Sequence, residues 1–485
     1  MVTEAASYSL SSRTVFHAYQ LRLFDPQTSQ EFRTLNRFYE WIDGRIYGLG
    51  PEGNIRAVLS MRYDHDFGTS YPRTGFEVAQ LGPSDEKLNF EMAYLYLDWR
   101  NLIDDLLDLR VGRQLIMDEL DWYSLDGLKL TVHFSRSHYL ELYGGRAVPF
   151  GAFLSAEPFL NDGIEHSDGE SLALGGAYFG QLGEDLSFAL AYRHELRFRD
   201  DRIEVFGLST THPDYELISG ASAGKIGLQE WLLGASIGYV IRSLDVDVFA
   251  RGTWNFLFNT LDQARAGLAY NPNRHFHWGA EFLRVHPRFA GDSIFNIFNI
   301  FPYDRARTEF NVELFNGLRL EAGYFIQHMY GGPTVVGFLD NPEAPYTPSD
   351  EFEGSSRTHG PSAGIRYHSP KWGLGAYGEA ATNLAGYIAY GGTFRRAEVF
   401  GHLSFLSEER LQSNLRLSYT GFQNDWFERA DYGEVQDEEK SYSADIGVRW
   451  AILDGVLARA NFIKNFSSLL EGSYRVYSSV EFRYE

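Results

Sequence analysis

The chain of 485 residues contains no cysteine, and nowhere do eighteen apolar residues follow one another. The missing cysteines exclude a disulfide framework and thiolate metal sites, and they suit an envelope protein that crosses an oxidising compartment with no thiol to mispair. The missing apolar run, with a mean hydropathy of −0.29, excludes membrane-spanning helices, which need about 20 such residues. There is no glycine loop to cradle phosphate, no basic patch and no histidine pair at ligand spacing that stands apart. Nucleotide, nucleic-acid, metal and cofactor chemistry therefore have no foothold, and no cofactor, metal site or nucleic-acid partner is expected.

What is present is aromatic: 37 Phe, 30 Tyr and 9 Trp. That load fits the girdles with which a transmembrane β-barrel meets its two water interfaces. The decisive pattern has a period of two. Ile55, Ala57, Leu59, Met61 and Tyr63 alternate with Arg56, Val58, Ser60, Arg62 and Asp64. Residues 186–199 and 244–256 repeat it, as do more than a dozen other segments of about ten. Successive strand side chains point to opposite faces, so each segment is a strand with one apolar and one polar surface. Negative hydropathy is no objection, since only half of a barrel strand needs to be apolar.

Short turn signals alternate with long polar connections. Tight turns are expected at 50–54, 183–185, 242–244, 271–273, 316–317, 369–371 and 454–455, where Gly, Pro, Asn, Asp and Ser supply the turn dihedrals. Long loops are expected near 68–87, 146–170, 200–227, 289–306, 331–359 and 424–440. Short periplasmic turns and long outer loops are the asymmetry of an outer-membrane barrel. The expected fold is therefore all-β, a single large transmembrane antiparallel barrel of 18–22 strands spanning 14–485, after a periplasmic N-terminal extension at 1–13.

The start, MVTEAASYSLSSRT, has neither a basic nor an apolar leader region, so an exported protein would be in its mature form here. Strand pattern begins near Thr14, leaving no room for a plug domain ahead of the barrel. The last strand alternates Val476, Val480, Phe482 and Tyr484 with polar residues and resembles the C-terminal signal read by the barrel-insertion machinery, with the aromatic penultimate because Glu485 follows. The net charge of −22 collects in the irregular segments. Solvated loops account for that, and cation bridging to lipopolysaccharide is the sharper alternative.

Ionisable residues inside the span are tolerated where they meet lumenal water. Strand parity puts Arg56, Arg62, Arg110, Gln114, Lys129, Arg193, Arg197, Arg251, Arg319, Arg416, Arg449, Arg459 and Arg475 on the lumenal face as pore-lining candidates. Acids share that face, so mutual neutralisation competes with anion selection for each of them. The loop GDSIFNIFNIFPYDRAR offers Phe295, Phe298 and Phe301 as a constriction folded into the lumen, or alternatively as an extension of the flanking strands. The run Tyr63-Asp64-His65-Asp66 is the one local cluster that invites acid–base catalysis, but alternation puts His65 opposite both acids. No enzymatic activity is expected.

The segment DLRVGRQLIMDELDWYSLDGLKL (108–130) carries the triplet Gly112-Arg113-Gln114 after Arg110. It resembles the Gly-Arg-Gln strand of the alginate-export family of bacterial outer-membrane barrels. That resemblance implies a conduit for an anionic or polyhydroxylated exopolysaccharide through an Arg-lined lumen. A general or solute-selective diffusion porin, and a structural barrel sheathing a partner protein, are the alternatives. Outer-membrane lipid and lipopolysaccharide, the insertion machinery and a periplasmic export or scaffold protein are the expected partners. Parity also puts Arg113 with Leu109, Val111 and Leu115, facing lipid unless Gly112 sits in a bulge.

Overall fold

Strands form wherever the alternation runs, and each pairs antiparallel with the next. The structure, a computed structural model, describes residues 6–23, 31–50, 52–66, 88–120, 122–148, 171–198, 226–256, 259–286, 302–329, 356–382, 392–406, 410–424, 438–467 and 473–484. They make one 22-stranded sheet. The first strand, β1 (Ser7–Leu23), pairs with both β2 (Glu31–Leu49) and the last strand, β22 (Ser473–Tyr484), so the sheet closes and no edge is left unpaired. Among the described residues no helix is long and apolar enough to cross a membrane.

The strand count lies at the top of the expected range. Because β1 begins at Ser7, the strand takes in half of the expected extension at 1–13, its polar Ser and Arg residues serving as the lumenal parity. Six of the expected tight turns fall between strands. The exception is 271–273: β12 (Thr260–Asn273) runs through Pro272, and a register shift between Tyr270 and Asn273 absorbs the proline's missing donor. The other tight turns connect the same end of the barrel, which is the periplasmic end by the asymmetry of connection lengths.

The apolar parity faces outward. Leu97, Leu128, Leu174, Leu190, Ile237 and Leu417 are each about half exposed although they lie within the bodies of their strands. Around the periplasmic rim the outward aromatics Tyr8, Phe134, Phe315, Trp372, Phe405 and Trp450 form a girdle. Apolar outside and polar inside inverts a soluble sandwich and is stable only where hydrocarbon surrounds it. The chain is a β-barrel of the bacterial outer membrane.

Candidate functional site: a strapped lumen

The inner wall is uneven, and its asymmetry begins with small side chains. On the inward parity of β8 (Ser171–Leu182), β9 (Leu186–Phe198) and β10 (Ile226–Ile241) stand Ala173, Gly175, Ala177, Ala189, Ala191 and Gly234. Ala173 and Ala191 are completely buried, and Ala177 nearly so, in a wall that should be wet. What covers them is the tip of the hairpin made by β5 (Leu107–Met117) and β6 (Trp122–Ser135). That tip leans into the barrel.

Leu120 is its anchor, packed with Ala177, Ala191 and Leu232 and flanked by Phe179. Polar straps hold the rest. Arg251, from β11 (Val246–Asn255), donates from Nη2 to the Glu119 carbonyl at 2.7 Å and sets Nε 3.6 Å from its carboxylate. The Tyr143 hydroxyl, from β7 (His138–Ala147), donates to Asp118 at 3.0 Å. Tyr123 donates to Glu195 at 2.8 Å, and the Arg193 guanidinium lies 4.4 Å from the Tyr123 ring centre while it donates to Glu230 at 2.9 Å. Tyr143 fits because Gly175 lies beneath its ring, where any Cβ would overlap it. Ile116, Leu125 and Tyr143 complete a second buried cluster against Tyr123.

The constriction expected from Phe295, Phe298 and Phe301 falls outside the described residues. Among the described residues, a strap comes from 118–120, in a connection too short to resemble a constriction loop. A signal for it was present: one leucine among three acids at a strand-to-strand link, and a block of Ala and Gly on the parity that elsewhere carries charge.

The described pore-lining candidates lie on inward parity, but they differ in what surrounds them. Gln114 is fully buried and donates to the Gly127 carbonyl, and Arg193 is 4% exposed beneath the strap. Neither meets lumenal water, because both were assigned by parity alone and the hairpin tip covers them. The side chain of Arg197 lies outside the described residues, as do those of Asp64 and His65. The Gly112 question is also resolved. The register has no shift there, so Arg113 faces outward, bonded to Asp126 by two hydrogen bonds of 2.7 Å.

Basic residues in the wall recur as directly opposed cross-strand pairs: Arg110 with Lys129, Arg251 with Arg265, Arg319 with Arg366 and Arg449 with Arg459. Opposed like charges, with Cβ atoms about 5 Å apart, destabilise a sheet unless acids flank them. Three pairs are so flanked. Asp98, from β4 (Leu88–Ile103), takes Arg56 at 2.6 Å and Arg110 at 3.2 Å, and Glu141 takes Lys129 at 2.6 Å. Glu119 and Glu281 hold Arg251 and Arg265, while Glu321 holds Arg366. The first of these pairs lies in an open lumenal recess of about 300 Å³ lined by Asp98, Asp108, Arg110, Lys129, His133 and Glu141, and Arg251 of the second reaches the strap.

The fourth pair is different. Arg449 reaches only Gln412, at 3.5 Å, and Arg459 is 3.8 Å from Glu481, which Arg483 already engages at 2.7 Å. Among the described residues no carboxylate lies within ion-pair distance of Arg319, Arg416, Arg449 or Arg475. Arg475 stands near the outer end of β22, Arg416 midway along β19 (Leu411–Asn424), and Arg449 and Arg459 near the periplasmic ends of β20 (Glu438–Leu453) and β21 (Val456–Ser467). Among the described residues, arginines without an ion-pair partner thus descend the wall opposite the strap, although Arg416 stands across from Asp445 in the register.

No family model and no curated protein matches the chain. Solved structures similar over the whole length include Pseudomonas aeruginosa OccK8 (OprE), 10% identical over 99% of this chain and 98% of that one, TM-score 0.43. Two others are P. aeruginosa OpdQ, 8% identical over 99% of each chain, TM-score 0.42, and Acinetobacter baumannii OccAB1, 9% identical over 99% and 96%, TM-score 0.40.

The paired part of the wall is structural. Replacing Asp98 by Asn leaves Arg56 and Arg110 facing one another with little to neutralise them. The expected loss is about 1–3 kcal/mol of barrel stability, kept below the cost in a dry core by lumenal water. The urea midpoint of unfolding from detergent micelles should fall. It should stay unchanged for Arg100→Ser, since Arg100 is 60% exposed and only 3.5 Å from the same acid.

Proposed function

We propose that this barrel is a diffusion channel for small polar solutes with a preference for anions. The observation that carries this reading is the strap: Asp118, Glu119 and Leu120 are locked across one side of the lumen by buried contacts. A polymer in transit needs a continuous wide bore, and the strap narrows it, so diffusion of small solutes is favoured over exopolysaccharide export. The resemblance of residues 108–130 to the alginate-export family rests on Gly112, Arg113 and Gln114. Of these, Arg113 faces lipid and Gln114 is buried, so the triplet supplies nothing to the passage.

The anion preference rests on Arg416, Arg449 and Arg475 along the unstrapped wall, where field lines concentrate between low-dielectric surfaces. A sheath around a partner protein would need the space that the strap fills. Planar-bilayer recording tests all three readings. Stable steps with a reversal potential displaced toward the anion support the proposal. A silent protein would favour the sheath, and very large unselective steps would favour the polymer conduit.

A further inference from the structure

In the described strands no Asp, Glu, Lys or Arg takes outward parity within the periplasmic half. Outward charge begins with Glu40, midway along β2, which accepts hydrogen bonds from Ser12 and Thr14. Higher up it is mostly positive and falls in three rows, each residue opposite the next across the sheet. Arg113, Asp126 and Arg146 form one on β5 to β7. Arg284, Asp304, His328 and Arg357 form another on the four strands from β13 (Phe276–Val285) to β16 (Ser356–His368). Arg395, on β18 (Gly392–Phe405), Gly421 and Lys440 form the third, with Lys464 close by on β21. Asp126 is engaged by Arg113, and Asp304 stands 3.8 Å from Arg284, whereas the third row contains no acid. Arg146, Arg284 and Lys464 lie eight residues above the periplasmic ends of their strands, and Arg395 ten. At about 2.6 Å of height per residue in a strand tilted by about 40°, that is about 21–26 Å, the upper edge of an apolar band about 25 Å tall.

The third row has the form of a cradle. Arg395 and Lys440 are exposed and stand two strand spacings apart, about 10 Å, on either side of Gly421. No side chain fills that gap; the Tyr419 hydroxyl lies over it, within 2.6 Å of where a Cβ on Gly421 would be. One step toward the periplasm the Tyr419 and Tyr442 rings meet at 5.2 Å, and the Lys464 ammonium is 5.4 Å from the Phe466 ring centre. Guanidinium, ammonium and phenol are the donors that a phosphate takes, and an aromatic shelf suits the boundary between headgroup and acyl chains. We propose that this outward belt, through the Arg395–Lys440 cradle above all, binds the phosphates of the outer leaflet's glycolipid, lipopolysaccharide, directly through its cations. Charge complementarity selects an anionic headgroup layer at that height. A phospholipid shared by both leaflets would draw cations to both rims, and they lie at one. Rows repeated around the barrel fit an annular lipid, whereas a protein partner would be matched on a single face.

The full chain in detergent micelles can be titrated with bisphosphorylated lipid A, with the same lipid dephosphorylated, with phosphatidylglycerol and with inorganic phosphate, and binding read by native mass spectrometry. Bisphosphorylated lipid A should bind most tightly, and removal of its phosphates should weaken binding at least about fivefold. Each cation near an anionic surface is worth about a factor of five. Replacing Arg395, Lys440 and Lys464 together by Ser should therefore weaken lipid A binding about tenfold or more and leave channel conductance as it is. Serine at the lumenal Arg416, Arg449 and Arg475, an equal change of net charge, should bind lipid A like the parent. Heat-modifiable migration reports folding of each variant; should the outward triple misfold, Arg395→Ser alone should weaken binding about fivefold. Equal binding of the dephosphorylated lipid, or equal weakening by the lumenal triple, would overturn the proposal. So would undiminished binding in the outward variants, or phosphatidylglycerol or free phosphate bound as tightly as lipid A.

Discussion

Deleting Glu119 and Leu120 will raise single-channel conductance, on the order of twofold, since the hairpin tip then no longer reaches across the inner wall of β8 to β10. The milder variant Leu120→Ala separates the anchor from the length of the link. Leu120 is 7% exposed and fills a pocket of small side chains, so its truncation costs about 2–4 kcal/mol of docking energy in transfer and cavity terms. The remaining straps are the Arg251 contacts with the Glu119 carbonyl and carboxylate and the tyrosine hydrogen bonds from Tyr143 to Asp118 and Tyr123 to Glu195, each worth about 1 kcal/mol net. The tip should then leave the wall part of the time. Leu120→Ala is expected to show two conductance levels that interchange, with the upper level equal to that of the deletion. A deletion variant that conducts like the parent would show that the narrowest point lies elsewhere and remove the strap from the proposed mechanism.

The second large effect is electrostatic. Replacing Arg416, Arg449 and Arg475 together by Ser should reduce the anion-to-cation permeability ratio by about threefold or more, read from the reversal potential across a salt gradient at low ionic strength. The difference should nearly vanish in about 1 M salt, where the screening length is only about 3 Å. The matched control is Arg56, Arg110 and Lys129, also lumenal but each bound to a carboxylate. Neutralising these together with their partners Asp98 and Glu141 removes three positive and two negative charges, and should alter stability more than selectivity because the local charge then changes by only one unit. If the control set shifts selectivity as far as the test triple, ion pairing does not decide which residues the solute senses.

The two sets could not be separated in the sequence. Arg110 and Arg449 occupy equivalent places in their strands, inward-facing and flanked by apolar neighbours. What distinguishes them is the adjacent strand: Asp98 stands beside Arg110, whereas Gln412 and a second arginine stand beside Arg449. That neighbour is fixed by register, which depends on turn geometry and on bulges such as those between Ser60 and Met61 or Thr253 and Trp254. Arg193 and Gln114 show the complementary failure. Parity places them inward, and only the folded hairpin tip shows that inward is not the same as wet.

The sequence by itself determined the class of fold, because a side-chain period of two is a local property of the extended backbone and each segment carries its own copy of it. It also determined which face of each strand is polar and the end of the barrel at which most of the tight turns lie; the lipid-facing position of Arg113 waited on the unshifted register at Gly112. The tertiary structure alone decided which charges are paired among the described residues, and that the short link carrying Glu119 and Leu120 lies against the inner wall of β8 to β10. Those are contacts between residues as far apart as Glu119 and Arg251. No local pattern encodes a contact across that separation; closing the sheet is what brings the two together.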